Sequence, residues 1–141
     1  MPVWFTDSFG LLGDWTWVGD IEAALGEKFS LNCVINALTA TLRCRNGELL
    51  HGDVAGEELA ALCAESEPAL RALHLWPDSR PLVEAAAAVC RSTALNQSSM
   101  LQDVLMGRTT EIDFLNGELL RRAATLGLSL PKNRELLDAL S

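Results

Sequence analysis

The chain has 141 residues, enough for one domain with its own hydrophobic core and too few for two ordinary ones. A formal charge of −8, with no cluster of even four basic residues, argues against a nucleic-acid or anionic-membrane surface. Apolar residues make up 49% and are mostly alanine and leucine, while tyrosine is absent, which favours an all-α fold of helices packed on helices.

Residues 1–17 read as an extended lead-in, because Trp4, Trp15 and Trp17 fall among glycines and aspartates that do not support a long helix. Those aromatics need a surface, either the body of this chain or a neighbouring domain. A helical domain then covers 18–141. Asp20 suits an N-cap, and Ile21, Leu25, Phe29, Leu31, Val34, Ile35 and Leu38 recur at helical spacing to about Thr41. Gly26 is expected to weaken or bend that helix. Arg45-Asn46-Gly47 signals a turn. A second helical region spans 54–75, with a kink expected at Pro68, and the segment from Trp76 to Pro81 closes it. An alanine-rich helix covers 81–95. Ser99-Met100-Leu101-Gln102 matches a capping box that opens a short helix, and Gly107 ends it. Thr110 and Glu111 open another, which runs to Leu126 and stops at Gly127. After Pro131 a final helix occupies 133–140.

Cys33, Cys44, Cys63 and Cys90 are widely spaced, and His51 and His74 are far apart, so no metal site is expected. Three of the cysteines lie in apolar helical patterns and read as small buried hydrophobes, and the chain reads as reduced and cytoplasmic. Asp7, Asp14 and Asp20 interrupt the early apolar runs, which speaks against a secretory signal. No stretch approaches the roughly 20 apolar residues of a membrane span.

Three constellations could carry chemistry. Lys28, Asn32 and Asn36 follow one another at four-residue spacing and stack along one helical face. Asparagine is a poor helix former, and Lys28 is one of only two lysines beside nine arginines. The line is either a polar edge facing solvent or the wall of a cleft. An ammonium in a cleft loses hydration and gives up its proton more readily, while amides hold a hydroxyl or carbonyl without adding charge. Asn96, Ser98 and Ser99 sit at a helix start, where they either cap the helix or help to hold a carboxylate. Glu111, Asp113 and Asn116 cluster in the first turn of the next helix, where the dipole alone accounts for the two acids.

Taken in order, Lys28-x-x-x-Asn32-Cys-x-Ile-Asn36-x-Leu-Thr39-Ala40, Asn46-Gly47-Glu48-Leu49, Ser98-Ser99-Met-Leu-Gln-Asp103 and Arg108-x-Thr-Glu111-Ile-Asp113-x-x-Asn116-Gly117 resemble the C-terminal domain of ketopantoate reductases (2-dehydropantoate 2-reductases). The resemblance covers roughly residues 18–138 and includes Pro131-x-Asn133. It implies an all-helical bundle like the C-terminal domain of 6-phosphogluconate dehydrogenase. It also implies that Lys28 protonates the ketone oxygen as NADPH delivers hydride, and that Glu111 bonds the reacting oxygen and helps to organise the lysine. Asn32 and Asn36 would bind the substrate, a small 2-oxo acid, and Ser99 its carboxylate. Asn96 and Asn46 match positions near substrate and cofactor. Two departures stand out: Gly26-Glu27 precedes Lys28 where the family usually has a bulky residue, and Phe114 replaces a common tyrosine.

The family binds NADPH on an N-terminal Rossmann domain through Gly-x-Gly-x-x-Gly, and the ten glycines here never fall at that spacing. Two functions follow. On the resemblance, the chain would be the substrate-binding, catalytic-lysine half of a ketopantoate reductase, inactive alone and competent once a Rossmann domain docks on it in trans. Alternatively it is a stand-alone helical module that self-associates, as a homodimer, through the orphaned interdomain face.

Overall fold

Asp20 accepts a hydrogen bond from the Ala23 amide at 3.0 Å and so caps the first helix, α1 (Ile21–Leu42). The helix ends at Arg43, whose left-handed backbone (φ 52°) lets its amide and that of Cys44 turn back to the Thr39 carbonyl. Between these limits Cys33, Val34, Ile35, Ala37, Leu38, Thr39 and Ala40 are all buried. A helix apolar on so many sides belongs in the middle of a bundle, and most of the other helices pack against α1. The computed structural model describes residues 20–141, so the lead-in of residues 1–17 and its tryptophans lie outside the described residues.

Gly26 neither breaks nor ends α1. A Cβ there would stand 3.0 Å from the Leu75 carbonyl oxygen and 3.2 Å from the Leu75 Cα. The Ser30 hydroxyl sits one turn on, at 2.8 Å from the Gly26 carbonyl and 3.1 Å from that of Leu75. The glycine therefore permits a close approach of the loop after the second helix.

A 3₁₀-helix (Asn46–Leu50) replaces the expected turn and leads into α2 (Asp53–Ala72), a single helix that includes Pro68. The next helix, α3 (Leu82–Ser92), starts where Glu67 accepts from the Leu82 amide at 2.8 Å. Helix α4 (Ser99–Leu105) is capped by Ser98 rather than Ser99, because the Ser98 hydroxyl accepts from the Leu101 amide at 3.1 Å. Gln102 does not close a capping box and donates instead to the Gln97 carbonyl. A five-residue π-helical turn (Asp113–Gly117) precedes α5 (Glu118–Thr125), where periodicity alone implied continuous α-helix. Helix α6 (Pro131–Leu140) starts at the proline itself, two residues before the expected position. Among the described residues there is no strand, and the all-α expectation holds.

Polar side chains pin the far side of the bundle. Asn116, fully buried in the π-turn, donates to the Cys33 carbonyl and to the Asn133 side chain, both at 2.9 Å. Asn133 in turn donates to Glu65 and Ser66 of α2. Cys33, Cys63 and Cys90 are buried free thiols, as their placement in apolar helical patterns implied.

Candidate functional site

The four-residue repeat of Lys28, Asn32 and Asn36 puts all three on one wall of an open groove of about 440 Å³. Ala24, Leu31 and Ile35 from the same helix add apolar surface, and Glu27 lies at the edge. The opposite wall is built by Asn46 from the 3₁₀-helix with Val89 and Thr93 at the end of α3. The volume falls in the range of small-ligand sites. Lys28 is exposed, and Asn32 and Asn36 are half-buried. The polar line is thus a groove wall that grows drier from the lysine inward.

Asn46 is the most constrained member. It is only 8% exposed. Its Nδ2 donates to Thr93 Oγ1 at 2.9 Å, and the Thr93 hydroxyl donates to the Val89 carbonyl at 2.7 Å. With that hydroxyl proton committed, the amide can only be a donor toward Thr93. Its Oδ1 is left buried without a hydrogen-bond partner among the described residues. The backbone holds the same residue in place: the Asn46 amide donates to the Asn96 carbonyl at 3.1 Å and the Gly47 amide to Ala94 at 3.0 Å. A Cβ on Gly47 would sit 2.7 Å from the Ala94 Cβ, so only glycine allows this contact.

Glu27 is neutralised by Arg80 at 2.6 Å, and the Arg80 guanidinium lies 4.8 Å over the Trp76 ring. No carboxylate of the described residues pairs with Lys28, whose charge is left to whatever enters the groove.

The other candidates fall outside the groove lining. Asn96 is exposed and touches the site through its backbone carbonyl. Ser99 and Glu111 are both exposed and face each other, the serine hydroxyl 3.4 Å from Glu111 Oε1. Glu111 makes no ion pair with Lys28. The fold thus gathers Lys28, Asn32, Asn36 and Asn46 in one groove and Ser99 with Glu111 in a second pair. Thr93 and Val89 carried no sequence signal, since each is an ordinary residue of an alanine-rich helix.

The described residues hold no dinucleotide-binding strand and turn. None of them forms a strand ending in a glycine-rich turn, and the single orphaned acceptor of Asn46 is not a phosphate cradle.

Residues 20–141 match the family model described as the ketopantoate reductase PanE/ApbA C terminal. The chain is 41% identical over 129 residues to the 2-dehydropantoate 2-reductase of Salmonella typhi, covering 92% of this chain and 42% of that protein. A crystal structure of a probable 2-dehydropantoate 2-reductase from Bacillus subtilis aligns with a TM-score of 0.78 at 34% identity, over 86% of this chain and 40% of that one. A PanE/ApbA family ketopantoate reductase from Ralstonia eutropha gives 0.75 at 31% identity, over 87% and 41%. The chain therefore spans about two fifths of the length of the relatives it matches. It belongs to the ketopantoate reductase C-terminal domain family.

Proposed function

We propose that this chain is the substrate-binding and proton-donating half of a cytoplasmic reductase that converts 2-dehydropantoate to pantoate. The observation that carries the reading is the convergence of Lys28, Asn32, Asn36 and Asn46 on one groove. A hydroxy acid complements that arrangement. Its carboxylate or carbonyl oxygen answers the cation and the amide donors.

Reduction of a 2-oxo acid leaves charge and then a proton on the former carbonyl oxygen. In this reading Lys28 Nζ holds that proton and its charge stabilises the oxygen as it becomes negative. Asn32 and Asn36 orient the substrate by hydrogen bonds. Ser99 and Glu111 act from the second pair, Ser99 on the carboxylate and Glu111 on the reacting oxygen. The hydride carrier implied by the family, NADPH, would be held by polypeptide other than the described residues. The exposure of Lys28 agrees with this, because such a domain would cover the groove and dry the amine.

Calorimetric titration of pantoate and 2-dehydropantoate, with and without NADP⁺, tests the reading beside a Lys28→Ala control. Binding that weakens in the control supports a preformed half-site. Absence of binding under every condition would leave the self-associating helical module as the surviving alternative.

A further inference from the structure

The groove and the Ser99–Glu111 pair lie on different elements, so something must fix their separation. A buried pair of hydroxyls spans that gap. Thr39 Oγ1 lies 2.8 Å from Ser98 Oγ, across 59 residues of sequence. Thr39 is fully buried and Ser98 is 7% exposed. The direction of each bond follows from the neighbours. The Thr39 hydroxyl donates to the Ile35 carbonyl at 2.8 Å, with the Asn36 carbonyl at 3.1 Å. Ser98 Oγ accepts from the Leu101 amide at 3.1 Å, so its own proton points to Thr39.

We infer that Thr39 and Ser98 are positioning residues that set the register between the Lys28–Asn32–Asn36 wall and Ser99. The inference rests on the reading of the groove given above. Thr39 is one turn beyond Asn36 on α1, and Ser98 is the residue before Ser99. The two hydroxyls therefore tie a substrate-facing residue on each side to one hydrogen-bonded line running from the Ile35 carbonyl to the Leu101 amide. Valine would fill the same volume as Thr39 in this packed interior. A buried hydroxyl costs stability unless it is bonded, and here its bond reaches the other half of the site. Ser98 Oγ thus caps α4 while it bonds Thr39, and the next residue, Ser99, faces Glu111 at 3.4 Å.

The test compares Thr39→Val, Thr39→Ser and Ser98→Ala with the parent chain, and adds Ser66→Ala as a control. Ser66 is equally buried but serves the Asn133 network, away from the groove. Pantoate affinity is read by calorimetry and stability by thermal melting. Thr39→Val and Ser98→Ala are expected to weaken pantoate by roughly fivefold or more, the equivalent of one hydrogen bond. Thr39→Ser is expected to restore parental affinity, and Ser66→Ala to lower the melting temperature without changing affinity. Affinity of Thr39→Val within about twofold of the parent would overturn the inference. If the parent itself binds no pantoate, the functional reading fails separately, and amide exchange decides the register claim. Faster exchange at Leu101 and Gln102 in Thr39→Val, reversed in Thr39→Ser, would uphold the pin, and unchanged exchange would overturn it.

Discussion

Asn46 donates its side-chain amide to Thr93 across 2.9 Å, and this one bond decides which end of the amide is left unpartnered. Replacing Asn46 with aspartate keeps the shape but swaps the donor for a second acceptor and adds negative charge beside an acidic ligand. Pantoate affinity is expected to fall at least about tenfold in Asn46→Asp. Asn46→Ala, which removes the whole amide and its bond to Thr93 but adds no charge, is expected to lose about fivefold. Equal affinity of all three proteins in a calorimetric titration would remove Asn46 from the site.

Gly26 and Gly47 place opposing local and tertiary effects in direct competition. Alanine favours a helix over glycine by about 1 kcal/mol, which by itself recommends Gly26→Ala. The added methyl would stand 3.0 Å from a backbone oxygen that cannot rotate away. Net destabilisation is expected, read as a lower urea midpoint with an unchanged m-value. Gly47→Ala, at 2.7 Å from the Ala94 Cβ, is expected to cost more and also to weaken pantoate binding, because it moves Asn46.

Glu65 receives three N–H groups at the start of α6: the Lys132 amide at 2.8 Å, and the Asn133 amide and side chain at 2.9 Å each. Charge-assisted bonds of this kind, lost together, are worth about 2–3 kcal/mol once some rehydration is allowed. Glu65→Ala should therefore lower the melting temperature by roughly 10 °C. Glu65→Gln retains an acceptor and should fall in between. A thermal melt of Glu65→Ala within a degree or two of the parent would refute the capping role.

The buried thiols forecast alkaline sensitivity. Burial pushes Cys63 up to about 12, with Glu67 and Cys90 adding to the effect, and pushes Cys90 up to about 11, both from 9.0. Each folded-state value lies above the unfolded one. The stability they contribute is thus fully present below about pH 9 and is lost as pH rises through the folded values. The slope is at most about 1.4 kcal/mol per pH unit for each thiol. Urea unfolding at about pH 8 and about pH 10.5 should show a marked loss at the higher value, smaller in Cys90→Ala once its own neutral-pH cost is subtracted. A stability independent of pH over that interval would contradict buried thiols.

Much of the molecule is legible in the linear sequence, for a reason visible in α1. Its start at Asp20, its apolar repeat and its polar line from Lys28 to Asn36 depend on a 3.6-residue period and on capping chemistry, both local. The same holds for Gly107 and Gly127, which take positive φ where their helices end. The choice of Ser98 over Ser99 as a cap was not legible, because either serine satisfies the local pattern, and the Ser98 partner Thr39 lies 59 residues away. Nor was the π-turn at Asp113–Gly117, where Asn116 reaches the Cys33 carbonyl 83 residues away. Gly26 looked like a weakness because its reason, the backbone of Leu75, lies across the fold. Local pattern therefore marks where most of the helices lie and which side chains share a face. The tertiary structure alone decided what stands opposite that face, because Asn46, Val89 and Thr93 meet it through contacts that no local period encodes.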